Sequence, residues 1–457
     1  MPFLYRKSFE VAPQNNITEF KATNGVNQIQ FLIPAVPAML NTQDLMFAGN
    51  LQVNLDNSTP YAKTDMNTLT NNPSIGLDSV LGVHSLISRV DLISMRSNTL
   101  IEQRLNYQLI QKYQRGVQSA SNLENGRFNN QQMCSSNVLN TRNFLGRTNL
   151  ADDGQSFACQ LNTGLMKNNQ QSLNLQAMGG LLVRIYLAEP IDAFFNIDPA
   201  QTGGQKIGND FNFTLKNIKL FGRYNYVTND MLNQLSGVAY KKTDNLLSVV
   251  QSSNDTLSNS PQVMALHKMI YVYQPNKETS NNKDVDNFAT NSIIGLNDYL
   301  LSLNGVRRPL DYQVDVNPTL QELPTTSGTS SRVVGNAEQS YLSIGALNDQ
   351  FPPTHSLVNP QNQAKGLNNY YVNKNLDTKN VDVIGMNYSF NFEGYTIAVP
   401  NDLMSINVKS GVKTSGANLP DGTTPAGSRD IVNDSATQNL FVEYDAMLNY
   451  SNMQTGR

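Results

Sequence analysis

The sequence predicts an all-β chain built as two successive eight-stranded, two-sheet sandwiches with a few short helices in the connections. Three observations carry this. Apolar side chains alternate with period 2 in short runs along the whole chain, the runs are bounded by Gly, Pro and Asn, and only brief segments shift to helical spacing. At 457 residues the chain exceeds one small core, and each half is long enough for a sandwich of its own.

In the first half, 26–34 alternates cleanly, with Ile29, Phe31 and Ile33 on one face until Pro34 ends the ladder. Leu45 and Phe47, then Leu51, Val53 and Leu55, give a longer strand with Gly49 at a bulge. The polar stretch 56–78, with Pro60 and Pro73, reads as a surface excursion. From Val83 to Arg115 comes the most informative unit: a half-buried strand with Leu86, Val90 and Leu92 inward and Arg89, Asp91 and Ile93 outward, a turn at Asn98, an extended piece from Thr99 to Gln103, and an amphipathic helix from Arg104 with Leu105, Leu109, Ile110 and Tyr113 on one face. Gly116 to Asp153 shows neither period and reads as a loop. Strand character returns from Ser156 to Met166, and Gln176-Ala177-Met178-Gly179-Gly180 turns into a buried strand through Leu181, Val183, Ile185 and Leu187. The double glycine is no phosphate loop, because no helix and no Lys-Ser or Lys-Thr pair follows it. Phe211, Phe213 and Leu215 begin a strand that shifts register before Ile218, Leu220 and Phe221. Thr228 or Asn229 then caps a helix carrying Met231, Leu232 and Leu235.

Helical periodicity stops at Gly237 to Asp244, the expected junction between the halves. Beyond it, Val263 to Tyr273 reads as strand, Thr290 to Leu303 as a helix, Gly305 to Val316 as extended, and Thr319 to Asn336 as a loop. Tyr388, Phe390 and Phe392 mark the clearest strand of the chain, and Leu440 to Tyr450 the last. The expected division is an N-terminal arm at 1–25, sandwiches at 26–240 and 241–451, and a tail at 452–457.

Hydrophobic residues make up 39% and charged ones 15%, so the surface is polar chiefly through Asn, Gln, Ser and Thr. Amides can bridge subunits without the desolvation cost of buried ions. A net charge of −3 argues against holding nucleic acid by neutralising phosphates. The basic pairs Arg6-Lys7, Lys241-Lys242 and Arg307-Arg308 read as solvated turns or ion-pair partners. Cys134 and Cys159 exclude a disulfide scaffold and leave either two thiols or one bridge. No secretory leader or membrane span is expected. The acceptor triplets at Asn16 and Asn212 are what chance supplies in so Asn-rich a chain. His84, His267 and His355 lack metal-ligand spacing and read as structural hydrogen-bonders, and Asp152-Asp153 and Asp284-Asp286 lack a calcium-loop pattern. No nucleophile elbow or zinc-protease helix occurs, so no catalytic, cofactor or metal residue is assigned.

Several of these segments, taken in order, carry a likeness. Leu86 to Leu92 with Leu100 to Tyr107, the Met-Gly-Gly turn within Leu175 to Leu187, Leu215 to Ile218 with Asp230 to Leu232, and the final Leu440 to Tyr450 strand resemble the double jelly-roll major capsid proteins of virophages, polinton-like viruses and their relatives among eukaryotic DNA viruses. The resemblance implies two jelly rolls standing side by side, homotrimers with a pseudo-hexameric outline, and capsomers tiling the icosahedral shell of a double-stranded DNA virus. It further implies penton and minor capsid proteins as partners, a place in the virion, and neither enzymatic activity nor cofactor. The alternative is a β-sandwich attachment, spike or glycan-binding protein, which the absence of Trp disfavours, and a hydrolase on a β scaffold stands third.

Overall fold

The structure is a computed structural model. It describes residues 4–14, 17–21, 27–55, 59–60, 75–77, 81–116, 155–166, 172–196, 211–251, 256–259, 266–275, 296–303, 306–308, 314–315, 321–323, 331–333, 388–397, 406–412 and 436–450.

Eight principal strands form the first half: β1 (Tyr5–Val11), β2 (Gln28–Ile33), β3 (Met39–Leu55), β4 (Ile87–Ser94), β5 (Thr99–Arg104), β6 (Gln155–Gln160), β7 (Leu181–Leu187) and β8 (Phe211–Tyr226). They pair antiparallel into two sheets, β1-β8-β3-β6 and β2-β7-β4-β5. Between the sheets lies one core to which Ile29, Phe31 and Ile33 of β2, Phe47 and Leu51 of β3, Val90 and Leu92 of β4, and Val183 and Ile185 of β7 all contribute. Phe31 and Phe47 meet edge-on across the sandwich at 6.1 Å. Strand β2 alternates buried and half-buried residues without a break, as period 2 demands.

The bulge falls where β3 carries Gly49. Lys216 pairs with Asn50 and Lys219 with Ala48, so Asn217 and Ile218 together oppose one glycine. Asn217 takes a positive φ of 51°. A methyl on Gly49 would lie 2.3 Å from Ile218 Cδ1 and 2.9 Å from the Lys216 carbonyl oxygen. The register shift expected in β8 is thus built around the small residue of its partner.

Strand β4 is buried on both faces toward its end, not half-buried. Asp91 is held there by a two-pronged contact from Arg89, at 2.7 and 2.6 Å, and Ile93 pairs with Leu182 of β7. Asn98 turns the chain with φ of 50°. The extended segment then runs to Arg104, and α1 (Tyr107–Gly116) starts after a second left-handed Asn, Asn106. Leu109 and Ile110 are buried as expected, whereas Leu105 precedes the helix and is exposed. Three short helices follow. α2 (Leu175–Met178) is capped by the Asn174 side chain and ends on left-handed Gly179. α3 (Pro190–Ala193) precedes β8, and α4 (Asn229–Gln234) closes the half and buries Leu232.

The second half comprises β9 (Gly237–Gln251), β10 (Thr256–Asn259), β11 (Leu266–Pro275), β12 (Leu296–Leu303), β13 (Val306–Arg308), β14 (Tyr388–Ile397), β15 (Ile406–Val412) and β16 (Ala436–Asn449). Its sheets are β9-β16-β11-β14 and β10-β15-β12-β13.

Several expectations need correction. Tyr5–Val11 is no arm: it pairs along its length with Leu220–Tyr226 of β8 and is a strand of the first sandwich. Within the 56–78 excursion, Leu77 is fully buried in the core and Ile75–Gly76 pairs with Phe195–Asn196. Where a helix was expected at 290–303, Leu296–Leu303 is a strand paired with β15 and β13. Leu296, Tyr299, Leu300 and Leu303 satisfy helical spacing, yet Tyr299, Leu301 and Leu303 satisfy period 2 equally, and pairing on both edges decides between them. Within the loop expected at 319–336, Gln321–Leu323 pairs with Ser331–Val333. The boundary expected at 240/241 falls inside β9, a continuous strand of 15 residues. The loop expected at 116–153 lies almost wholly outside the described residues.

Candidate assembly site: the seam between the halves

The first sandwich is open along the side where its sheets end in β5 and β6. The start of β9 and the end of β16 fill that opening. Val238, Tyr240, Leu448 and Tyr450 belong to the first half's own core and are 2–8% exposed. Burying four such side chains contributes about 1.5–3 kcal/mol each. The partly exposed Lys242–Asp244 ion pair of the same strand contributes about 0–1 kcal/mol, so apolar burial decides the seam.

Polar contacts fix its register. Tyr240 donates its hydroxyl proton to the Ile101 carbonyl of β5 at 3.4 Å, and the Tyr450 hydroxyl accepts the Asn174 amide at 3.0 Å. The side chain of Asn174 caps α2 through the Ala177 amide and donates to the Leu232 carbonyl of α4. Asn106, just after β5, donates to Asn439 of β16 at 2.9 Å. Gly164 lies so close to β9 that an added methyl would sit 1.9 Å from the Lys241 carbonyl oxygen.

A buried charge pair stands behind this contact. Glu102 is 1% exposed, accepts the Gly164 amide at 2.7 Å and the Leu165 amide at 2.9 Å, and receives Arg104 Nη2 at 3.2 Å. Arg104, also 1% exposed, has no hydrogen-bond partner for Nε or Nη1. Helix α1 sets the segment that delivers those amides. Tyr107 takes the Asn162 amide on its hydroxyl at 3.1 Å, and Gln111 donates to the Asn162 carbonyl at 2.7 Å. His84 Nδ1 lies 2.9 Å from the same Tyr107 hydroxyl. That histidine is fully buried.

Burial pushes the Tyr450 phenol up to about 12, against a smaller lowering from its bond to Asn174. Tyr240 and Tyr444 are also raised, chiefly by burial. For Tyr444 the hydrogen bond it donates to Asp244 adds to the effect, and for Tyr240 the charges of Glu102 and Asp244 do.

Counted from its own first strand, each half orders its sheets 1-8-3-6 and 2-7-4-5. That permutation is the jelly roll, in which two Greek keys close on each other. The chain is a double jelly roll. Its longest connection falls at the same place in both halves, between the fifth and sixth strands, at 105–154 and 309–387.

No family model and no curated protein matches the chain. Among solved structures, it aligns over 97% of its length with 86% of a chain in the Sputnik virophage structure, at 10% identity and a TM-score of 0.49. It aligns over 97% with 94% of a chain in the PBCV-1 virus capsid, at 10% identity and 0.48, and over 98% with 91% of the Faustovirus major capsid protein, at 9% and 0.47. An N-glycanase F aligns over 97% of the chain at 8% identity with a TM-score of 0.27. The fold assignment rests on strand order and not on these overlays.

Among the described residues of the double jelly roll, no group of three or more His, Cys, Asp or Glu is placed to hold a metal ion, and no helix is long and apolar enough to cross a membrane. Cys159 is buried on β6, while Cys134, Asp152-Asp153, Asp284-Asp286 and His355 lie outside the described residues. His267 falls on β11, and Arg307-Arg308 on β13. Arg6 and Lys7 are exposed on β1, and Lys242 meets Asp244. Leu448 and Tyr450 fall on the strand expected at 440–450, whereas Val238 and Tyr240 escaped the sequence reading although Val238, Tyr240 and Lys242 alternate visibly. Val238 and Tyr240 lie in the junction expected at Gly237 to Asp244, where helical periodicity stops.

Proposed function

We propose that this chain is the major capsid protein of a double-stranded DNA virus, a component of the virion, with jelly rolls at about 5–226 and 237–449. Three copies would form a pseudo-hexameric capsomer that tiles an icosahedral shell, with penton and minor capsid proteins as further partners. The observation that carries this reading is the repeated jelly-roll permutation in one chain, joined by a buried, register-fixed seam. Two like barrels sharing one buried seam supply two of six similar wedges, so three chains complete a hexagonal outline and heterologous contacts extend it across a facet. A surface polar through amides rather than charges suits wide contact between copies. An enzymatic role would need a convergent set of acid, base or nucleophile, and the buried Glu102–Arg104 pair is enclosed by backbone amides and the second half.

The test is light scattering and negative-stain microscopy of the purified full chain over a range of concentrations. Trimers with a hexagonal outline, assembling further into sheets or shells, are expected. Strictly monomeric protein at high concentration overturns the proposal.

A further inference from the structure

The outward face of sheet β2-β7-β4-β5 carries one more positive charge than its neighbours balance. Residues alternating with the core positions fall there in cross-strand rows: Gln28, Tyr186 and Arg89 in one, Gln30, Arg184 and Asp91 in the next. Strand β7 is an inner strand, so Arg184 has a neighbour on either side, the amide of Gln30 and the carboxylate of Asp91. That carboxylate is already taken. Arg89 donates to its two oxygens from Nε at 2.7 Å and from Nη2 at 2.6 Å, and the same guanidinium lies over the Tyr186 ring at 4.7 Å. The Tyr186 hydroxyl accepts from Gln28 at 3.3 Å, which orients the ring beneath Arg89. Arg184 is left over: its Nε is buried without a hydrogen-bond partner, and among the described residues no carboxylate pairs with it.

We propose that Arg184 and Arg89 together bind a tetrahedral oxyanion, a phosphate or sulfate group, on this face. The two arginines stand diagonally on adjacent strands, about 7–8 Å apart, a span that side chains of this length close. After serving Asp91, Arg89 keeps both hydrogens of Nη1 and one of Nη2 to donate, and the bidentate contact with the stacked ring holds its fork in place. Arg184 supplies the uncompensated charge and a buried donor that is costly to leave unmade. Gln30, beside Arg184 on β2, adds an amide donor. Donors arriving from three strands suit an anion with oxygens on every side better than the two oxygens of a carboxylate. Asp91 does not oppose binding, because both its oxygens are occupied and the two arginines leave the group at a net +1. Gln28, Gln30, Arg89, Arg184 and Tyr186 are all only half-buried, so the anion enters from solvent. This binding goes beyond the capsid reading and does not depend on it.

The test is isothermal titration of the full chain with inorganic phosphate and, separately, with glucose 6-sulfate, at fixed ionic strength. Saturable binding of at least one is expected in the wild type, weakened about 10-fold or more by Arg184→Gln and unchanged by Arg223→Gln, which alters an exposed arginine on the other sheet. Thermal unfolding is the folding control. Without anion, Arg184→Gln is expected to unfold no lower than wild type, because Arg184 has no partner to lose, and the rise in unfolding temperature that the anion gives the wild type is expected to vanish in the variant. Tighter binding of glucose 6-sulfate assigns the group to a sulfated sugar and tighter binding of phosphate to the free ion, and either supports the inference. Wild-type protein that binds neither, or an Arg184→Gln variant that binds as tightly as wild type, overturns it.

Discussion

Glu102 and Arg104 make unequal demands on the seam, and that inequality is measurable. Glu102 has two backbone amides and one guanidinium nitrogen on its oxygens, so its charge is well compensated. Arg104 spends one contact on Glu102 and buries Nε and Nη1 with none. Replacing Glu102 with Gln removes the one anion bonded to Arg104 among the described residues and turns an NH2 group toward one of the two amides. The expected loss is about 3–5 kcal/mol, the cost of stranding a buried charge. Replacing Arg104 with Met leaves Glu102 with both charge-assisted amide bonds and relieves two unpaired buried donors, each of which costs about 1–3 kcal/mol. The net loss expected for Arg104→Met is therefore about 1–2 kcal/mol, and the double variant should be more stable than Glu102→Gln alone. Urea unfolding followed by circular dichroism and by tyrosine emission, the intrinsic probe of a chain with no Trp, reads all four proteins of the cycle. Equal losses for the two single variants, or a greater loss for Arg104→Met, would refute this account of the pair.

Two further outcomes follow from the same region. Gly164→Ala places a methyl 1.9 Å from the Lys241 carbonyl, where only backbone of the other half can yield, so a loss of about 1–3 kcal/mol and a lower first unfolding temperature are expected in differential scanning calorimetry. Alkali should loosen the seam: the folded Tyr450 phenol titrates near 12 against 10 when unfolded, so its contribution of about 2–3 kcal/mol is complete below pH 10 and lost as pH rises through 12. Tyr240 and Tyr444 shift the same way, and tyrosinate absorbance titrated against pH should rise together with unfolding, more gently in Tyr450→Phe.

The sequence disclosed most strands and little of how they meet. Clean alternation at Ile29-Phe31-Ile33 and a glycine at Gly49 located a strand and a bulge, because period and steric room are local properties. Strand β1 was missed because its residues are largely exposed, leaving no apolar stripe to read: its place depends on β8, some two hundred positions away. The helix expected over 290–303 failed because short apolar clusters fit both periods, although Asn304-Gly305, lying between the paired residues Leu303 and Val306, is a two-residue hairpin signal that could have corrected it. Glu102 fell in the extended segment from Thr99 to Gln103 and Arg104 at the expected start of the helix, with no role assigned to either charge. Nothing local announces that residues beyond 236 cover them.

The sharing of one core between distant parts of the chain also bears on synthesis. Leu448 and Tyr450 plug the barrel begun at Tyr5, so that barrel cannot close on the ribosome when its own eight strands have emerged: it waits for residues translated more than two hundred positions later. A nascent or prematurely terminated product is left with a gaping, greasy flank at β5 and β6, which marks it for chaperones and proteases. Completion of translation is thereby coupled to the closing of that flank.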